Sequence, residues 1–427
     1  MDTTFGLTIK VVAERTGVSV HTLRAWERRY GVPAPSRHSD NRYRLYDEQD
    51  IADVLWLKQQ VEAGIPPAQA SALLRQRRQS ARAMIEATQP LTTTQAALLD
   101  AFARSDEVTA RRILDEAFAL FTPEQVTQHI IVPTLREIGA RWMRGEMTVW
   151  QEHLASNVIQ QKLFAILQAQ PALPLAVPTL VAACAPNEEH ALGLLIFSLL
   201  AQRQGWRVIF LGQGTPLADI NAAARLQPKL IVVSITTVIG LAGLIPWLDA
   251  AQRPAVPLVF AGRIVDALPN LRAHLPGEYL GAEMIAPAQL LTLKPRAEYW
   301  SPSKRALNAA NALYARRLEI AGETVARFFA TLAPNHHRTW NVNDINFATL
   351  FLIDAVTCAL AFGVPELMDT ERAWLDEMMP SRAVPAELVT QHLETFARVL
   401  GQSFSKGHNQ LYQSLIERMK NARRSYE

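Results

Sequence analysis

The chain has 427 residues, room for roughly three domains, with 49% hydrophobic residues, 19% charged residues and a net charge of +3. That composition excludes a disordered chain, and the near-balanced charge confines any nucleic-acid surface to a local patch. The two cysteines, Cys184 and Cys358, lie far apart between apolar neighbours, which excludes a thiolate zinc site and points to buried thiols in a reducing, cytoplasmic setting. No apolar leader follows Met1 and no membrane association is expected. The uncharged stretch Leu230–Leu248 is interrupted by Ser234, Thr236, Thr237, Gly240, Gly243 and Pro246, which suits a strand, loop and short helix better than a membrane span.

Residues 8–30 form two short helical patterns around Gly17-Val18-Ser19. Ser19 is a good N-cap for the second, over roughly Val20–Tyr30. Helix, glycine turn and helix make a helix-turn-helix. Asp40-Asn41 is a hairpin signal for a small wing. Six arginines fall between Arg24 and Arg44, against Glu27 and Asp40, a footprint for phosphate when it coincides with such a fold. Thr22–Gly31 and Asn41–Tyr46 resemble the MerR winged-helix family over about residues 8–76, with Arg42 where many wings carry glycine. The resemblance implies a DNA-binding domain over 1–80. His21, Arg24, Arg28 and Arg29 would read the major groove, and Arg37, Arg42, Tyr43 and Arg44 the flanking backbone, of a double-stranded operator with repeated half-sites.

Arg75–Arg82 leads into Gln89-Pro90, read as a linker. Helical patterns then run approximately over Thr93–Arg104, Glu107–Phe121, Thr122–Arg144 and Met147–Gln168, which predicts a four-helix bundle over 90–172. Within it, nine residues separate Trp142 from Glu152-His153. The three can face one ligand, or they can be a core tryptophan and an exposed pair.

After Pro178, apolar runs at Thr179–Ala185, Arg207–Leu211, Leu230–Ile235 and Leu258–Ala261 alternate with helical segments, which predicts a parallel, Rossmann-like sheet over 176–296. Glu188-x-His190-x-x-Gly193 follows the first run, Ser234-x-Thr236 ends the third and Gly262 follows the fourth. All therefore meet at the carboxyl edge of the sheet, where such sheets bind ligands. A neutral imidazole there can ligate a metal while a carboxylate grips its other nitrogen. Alone, the motif also reads as a helix start with a surface histidine. The set resembles the cobalamin-binding domain of methionine synthase, corrinoid proteins and cobalamin photoreceptors, with Ala261-Gly262 in place of a Gly-Gly pair. The resemblance implies that His190 is the lower cobalt ligand and Glu188 its partner. The nucleotide tail would then lie near Ser234, Thr236 and Gly262.

Trp142 with Glu152-His153, directly before such a domain, resembles the adenosylcobalamin photoreceptors that regulate carotenoid genes, where these three cap the adenosyl side. Some relatives carry histidine after the tryptophan; here it is Met143. Residues 297–427 read as an all-α domain with helices near Ser303–Leu332, Val342–Phe362, Pro385–Leu400 and Asn409–Arg424. Its proposed roles are dimerisation, a lid, or a second chromophore such as biliverdin near His336-His337.

The expectation is therefore a multidomain α and α/β protein: winged helix-turn-helix, four-helix bundle, Rossmann-like cobalamin domain and C-terminal helices. By resemblance it is not an enzyme but a cobalamin-dependent, light-sensing transcriptional regulator. Photolysis of adenosylcobalamin would change the state of a homo-oligomer, dimer or tetramer, and with it DNA binding. A corrinoid methyl-transfer protein, a light-independent cobalamin sensor and a dual cobalamin–bilin photoreceptor remain open.

Overall fold

A computed structural model of the chain describes residues 7–37, 44–171, 173–174, 176–281, 290, 300–332 and 341–422, with backbone alone at 36–37 and 78–88. The chain forms two compact units, Met1–Thr93 and Thr94–Glu427. In the first, α1 (Ile9–Thr16) and α2 (Val20–Tyr30) flank the turn at Gly17, whose φ of 65° is left-handed. The Ser19 hydroxyl caps α2 by accepting from the Thr22 amide at 3.1 Å. Two short antiparallel strands, β1 (Ser36–Arg37) and β2 (Arg44–Leu45), form the base of a wing. Leu23 and Trp26 of α2 join Val12, Tyr46, Ile51, Val54 and Leu57 in one core, the last three from α3 (Glu48–Glu62).

Helix α4 (Pro67–Ala103) leaves this unit at its boundary. Pro90 lies inside it, so the expected Gln89-Pro90 linker is helical. Proline removes only one backbone bond there, and the run around it is rich in alanine, leucine, glutamine and arginine, which sustain a helix. The bundle continues with α5 (Glu107–Leu120), α6 (Pro123–Val126), α7 (Val132–Met143) and α8 (Val149–Ala169). The single helix expected over Thr122–Arg144 is interrupted by a π turn at Thr127–Ile131. Pro133 has no amide to offer the His129 carbonyl, and the Val132 amide bonds five residues back, to the Thr127 carbonyl.

The sheet is fully parallel in the order β4-β3-β5-β6-β7. Its strands are β3 (Thr179–Cys184), β4 (Arg207–Gly212), β5 (Leu230–Ser234), β6 (Leu258–Ala261) and β7 (Glu278–Tyr279). The first crossover, through α9 (Leu192–Arg203), places β4 on one side of β3, and the chain then returns to place β5 on the other. The crevice between the ends of β3 and β5 is thus the switch point of the topology. Alternate strand residues face opposite layers: Leu180, Ala182 and Val232 pack with Leu194 and Phe197 of α9, while Val181, Ile231 and Phe260 face the other way.

That second face is covered by helices from beyond residue 300. They are α14 (Lys304–Ala315), α15 (Arg317–Thr331), α16 (Val342–Ala361), α17 (Leu367–Met378), α18 (Ala386–Ser403) and α19 (Lys406–Asn421); short helices α10 (Leu217–Ala223), α11 (Val238–Ala242), α12 (Arg263–Ala267) and α13 (Pro269–His274) precede them. Ile353, Val356 and Phe362 share one hydrophobic core with the sheet, so the boundary drawn at residue 297 does not separate two cores. The Cys358 thiol donates to the Val238 carbonyl across this contact at 3.6 Å. The helix expected over Ser303–Leu332 divides at Arg316. Among the described residues one helix, Val342–Ala361, is long and apolar enough to cross a membrane. It is the central helix of this shared core rather than the stretch singled out in the sequence.

Candidate functional site

The loop after β3 carries Glu188 and His190 into the switch-point crevice. It is fastened on both sides: the Gly214 amide donates to the Glu188 carbonyl at 2.9 Å, and the Ala185 amide to the Ser234 carbonyl at 3.0 Å. Glu188 is fully buried. One of its oxygens, Oε1, accepts from His190 Nδ1 at 2.6 Å and the His190 amide at 3.1 Å. The other accepts from the Thr236 and Thr237 amides, both at 2.8 Å, and from the Thr237 hydroxyl at 3.0 Å. Burial alone drives this carboxyl upward, but the donors from His190 and Thr236 outweigh it and hold it at about 2. The hydrogen bond to Glu188 in turn raises His190, against its own burial. With Nδ1 committed, Nε2 is the ring nitrogen available to a metal.

His190 lines a cavity of about 730 Å³. Ser234, Thr236 and Gly262 line it from the sheet edge, Gly193 from the first turn of α9, and Glu152 and His153 from α8 of the bundle. Gly262 has φ 111°, and a Cβ there would lie 2.3 Å from the Ile235 carbonyl oxygen, so only glycine fits. Gly240 leaves room for the Glu188 carboxylate, since a Cβ there would come within 2.9 Å of Glu188 Oε2. Glu152 accepts from Ser156 at 2.6 Å and stands 3.6 Å from His153 Nε2. Buried oxygen acceptors, an imidazole held by one nitrogen and a glycine edge fit a corrinoid with histidine as its lower ligand.

Trp142 is not among the residues that line this cavity. It packs on the core of the C-terminal helices, and the Arg382 guanidinium lies 4.5 Å from its ring centroid. Met143 packs on the same core, and its carbonyl accepts from the Ser381 hydroxyl at 2.9 Å. The indole thus packs against a C-terminal segment that the local motif does not include. Sequence reasoning also missed Thr237, although its position as N-cap of α11 was readable, and the lining residues Arg136, Asn157, Gln160 and Arg263.

In the first unit, His21, Arg24, Arg28 and Arg29 are exposed on α2, and the spacing of His21, Arg24 and Arg28 puts those three on one face. Arg44 is exposed too, with its Nε 2.8 Å from Glu27 Oε1, and the Tyr46 hydroxyl donates to the other Glu27 oxygen at 3.2 Å. Glu27 thereby ties the wing to α2. Arg42, Tyr43 and the Arg37 side chain lie outside the described residues, as do His336 and His337.

A helix-turn-helix with a wing in one unit, and a carboxylate-held histidine at the edge of a parallel sheet beside a bundle in the other, are the parts of a corrinoid-responsive DNA-binding protein. Residues 7–77 match the MerR HTH family regulatory proteins and residues 94–167 match the B12 binding domain. The chain is 34% identical over 234 residues to the HTH-type transcriptional repressor CarH of Myxococcus xanthus, covering 53% of this chain and 77% of that protein. To the repressor CarA of the same organism it is 33% identical over 230 residues, covering 53% and 76%. Among solved structures, the monomethylamine corrinoid protein of Methanosarcina barkeri aligns with a TM-score of 0.36 at 15% identity, over 41% of this chain and 85% of that one. The chain belongs to the family of MerR-type, B12-binding transcriptional regulators that includes CarH and CarA. It is a cobalamin-dependent transcriptional regulator.

Proposed function

We propose that this regulator is a cytoplasmic, light-sensing homo-oligomer that uses the adenosyl form of cobalamin. The observation that carries the reading is the two-walled cavity: His190 enters from the sheet, while Glu152 and His153 enter from the bundle. When bound, adenosylcobalamin would supply a light-labile cobalt–carbon bond. His190 Nε2 would be the lower ligand, held in its tautomer by Glu188. Ser234, Thr236 and Gly262 would border the tail, and Glu152 and His153 would contact the adenosyl group. Loss of the contacts made by Glu152 and His153 would remove what favours one position of α8 against the sheet. A ligand moves such an equilibrium only by its differential affinity for the two states. A change between dimer and tetramer alters how many DNA heads engage together, which changes avidity without new contacts. Ser381 and Arg382 make the C-terminal helices a lid on the end of α7.

A second reading, a cobalamin sensor indifferent to light, is favoured by Met143, which offers no imidazole and faces the C-terminal core. Absorbance spectra of the adenosylcobalamin-loaded chain before and after green light, with operator retention measured on the same samples, decide between them. A spectral change with altered retention supports light sensing. Unchanged spectra and retention leave the light-independent sensor. The dual-chromophore alternative rests on His336 and His337, outside the described residues, and a red-absorbing band on addition of biliverdin is its test.

A further inference from the structure

The cavity holds a cation that the axial pair does not explain. Arg263 follows Gly262, is exposed, and lines the cavity beside Ser234, Thr236 and Asp266. The strict fit of Gly262 fixes the backbone that launches it, and its Nη2 donates to the Thr236 carbonyl at 3.4 Å. Among the described residues Arg263 makes no ion pair. Asp266 shares the wall, and its Oδ1 accepts from the Tyr279 hydroxyl at 2.6 Å. Glu371 of α17, 5% exposed, also feels Arg263; burial pushes it up to about 7, against the pull of Arg263. With no ion pair among the described residues, the Arg263 guanidinium is open to an anion in the cavity.

The chemistry of cobalamin names that anion. Its nucleotide tail carries one phosphodiester and hangs from the lower face of the corrin, the face that His190 takes. With His190 as the cobalt ligand, the displaced tail would be held by the residues on the sheet side of the cavity, where Ser234, Thr236, Gly262 and Arg263 lie. Arg136 is the other arginine in the lining, but it comes from α7 on the bundle side. We infer that Arg263 binds the tail phosphodiester and makes this chain discriminate complete cobalamins from corrinoids that lack the tail. The inference rests on cobalamin binding at His190.

The test is titration of the full chain with adenosylcobalamin and with adenosylcobinamide, which has neither nucleotide nor phosphodiester. The wild type should prefer adenosylcobalamin. Arg263→Gln should lose about tenfold to a hundredfold in affinity for it, the value of a hydrogen bond to a charged group, while cobinamide affinity and the imidazole-ligation spectrum stay unchanged. Arg263→Lys should restore part of the loss, and Arg136→Gln should leave the preference intact. The inference is overturned if Arg263→Gln keeps the wild-type preference, if it weakens both corrinoids equally, or if Arg136→Gln abolishes the preference instead. Failure of the wild type to bind either corrinoid would remove the cobalamin reading itself.

Discussion

Glu188→Gln tests the axial site at its base. The buried carboxylate accepts five hydrogen bonds, two at Oε1 and three at Oε2. A glutamine has one acceptor oxygen and an amide that can only donate. Its best orientation keeps the oxygen on Thr236 and Thr237 and turns the amide toward His190. Both charge-assisted bonds at Oε1 are then removed, each worth about 1.5–3 kcal/mol, partly offset by a neutral bond from the new amide to Nδ1 and because no charge is buried any longer. The net loss of stability in the cofactor-free chain should be about 2–4 kcal/mol. The ring responds as well: Nδ1 accepts from the new amide, the proton moves to Nε2, and Nε2 no longer offers a lone pair to a metal. Cobalamin affinity should fall by about 10–100-fold, as for other partners of metal-ligating histidines, and the bound cofactor should lack the imidazole-ligation spectrum. Absorbance titration with thermal melting reads both effects. Wild-type affinity together with a wild-type spectrum would refute this account of Glu188.

Three further outcomes follow from the same geometry. Arg28→Ala should weaken operator binding by about 1–3 kcal/mol and leave cobalamin affinity unchanged; full operator affinity in a gel-shift titration would count against α2 as the reading helix. Arg382→Ala removes the cation from the Trp142 ring and, if the C-terminal helices are a lid, should speed cofactor release severalfold in stopped-flow chase experiments. Unchanged release would assign that contact to packing alone. His392 is fully buried with Nε2 2.8 Å from the Thr349 hydroxyl, and burial pushes it from 6.5 down to about 4. The unfolded chain binds the proton first, so this residue's contribution to stability is present above pH 6.5 and is lost as pH falls toward 4, by up to about 3 kcal/mol. His392→Leu should flatten the acid limb of a melting-temperature profile, whereas parallel profiles would contradict the assignment.

Much of the architecture was legible because local and global signals agree. The strands β3, β5 and β6 are short and apolar, and Ser19, Asp106 and Thr122 each cap a helix through a side chain that accepts from a backbone amide. The Glu188–His190 pair was readable because two residues of one loop carry it. Strand β7 was missed because two residues, Glu278–Tyr279, leave no periodicity to detect. Helix α17 was missed because its charges break the apolar run and prolines at 365 and 380 bracket it. Trp142 lies against Arg382, 240 residues away in sequence, and no local pattern encodes such a contact. The same is true of the core shared by the sheet and α16, whose apolar residues read equally well as the interior of a separate helical domain.

The central claim is that a ligand wedged between bundle and sheet sets how copies of this chain assemble, and so how they hold DNA. Light scattering coupled to size exclusion, on the adenosylcobalamin-loaded full chain kept dark and after green illumination, tests it most directly. The account predicts one larger assembly in the dark and a smaller one after light, with His190→Ala giving no such transition. An identical mass in both conditions, from a chain whose absorbance shows that the cofactor was photolysed, would contradict it.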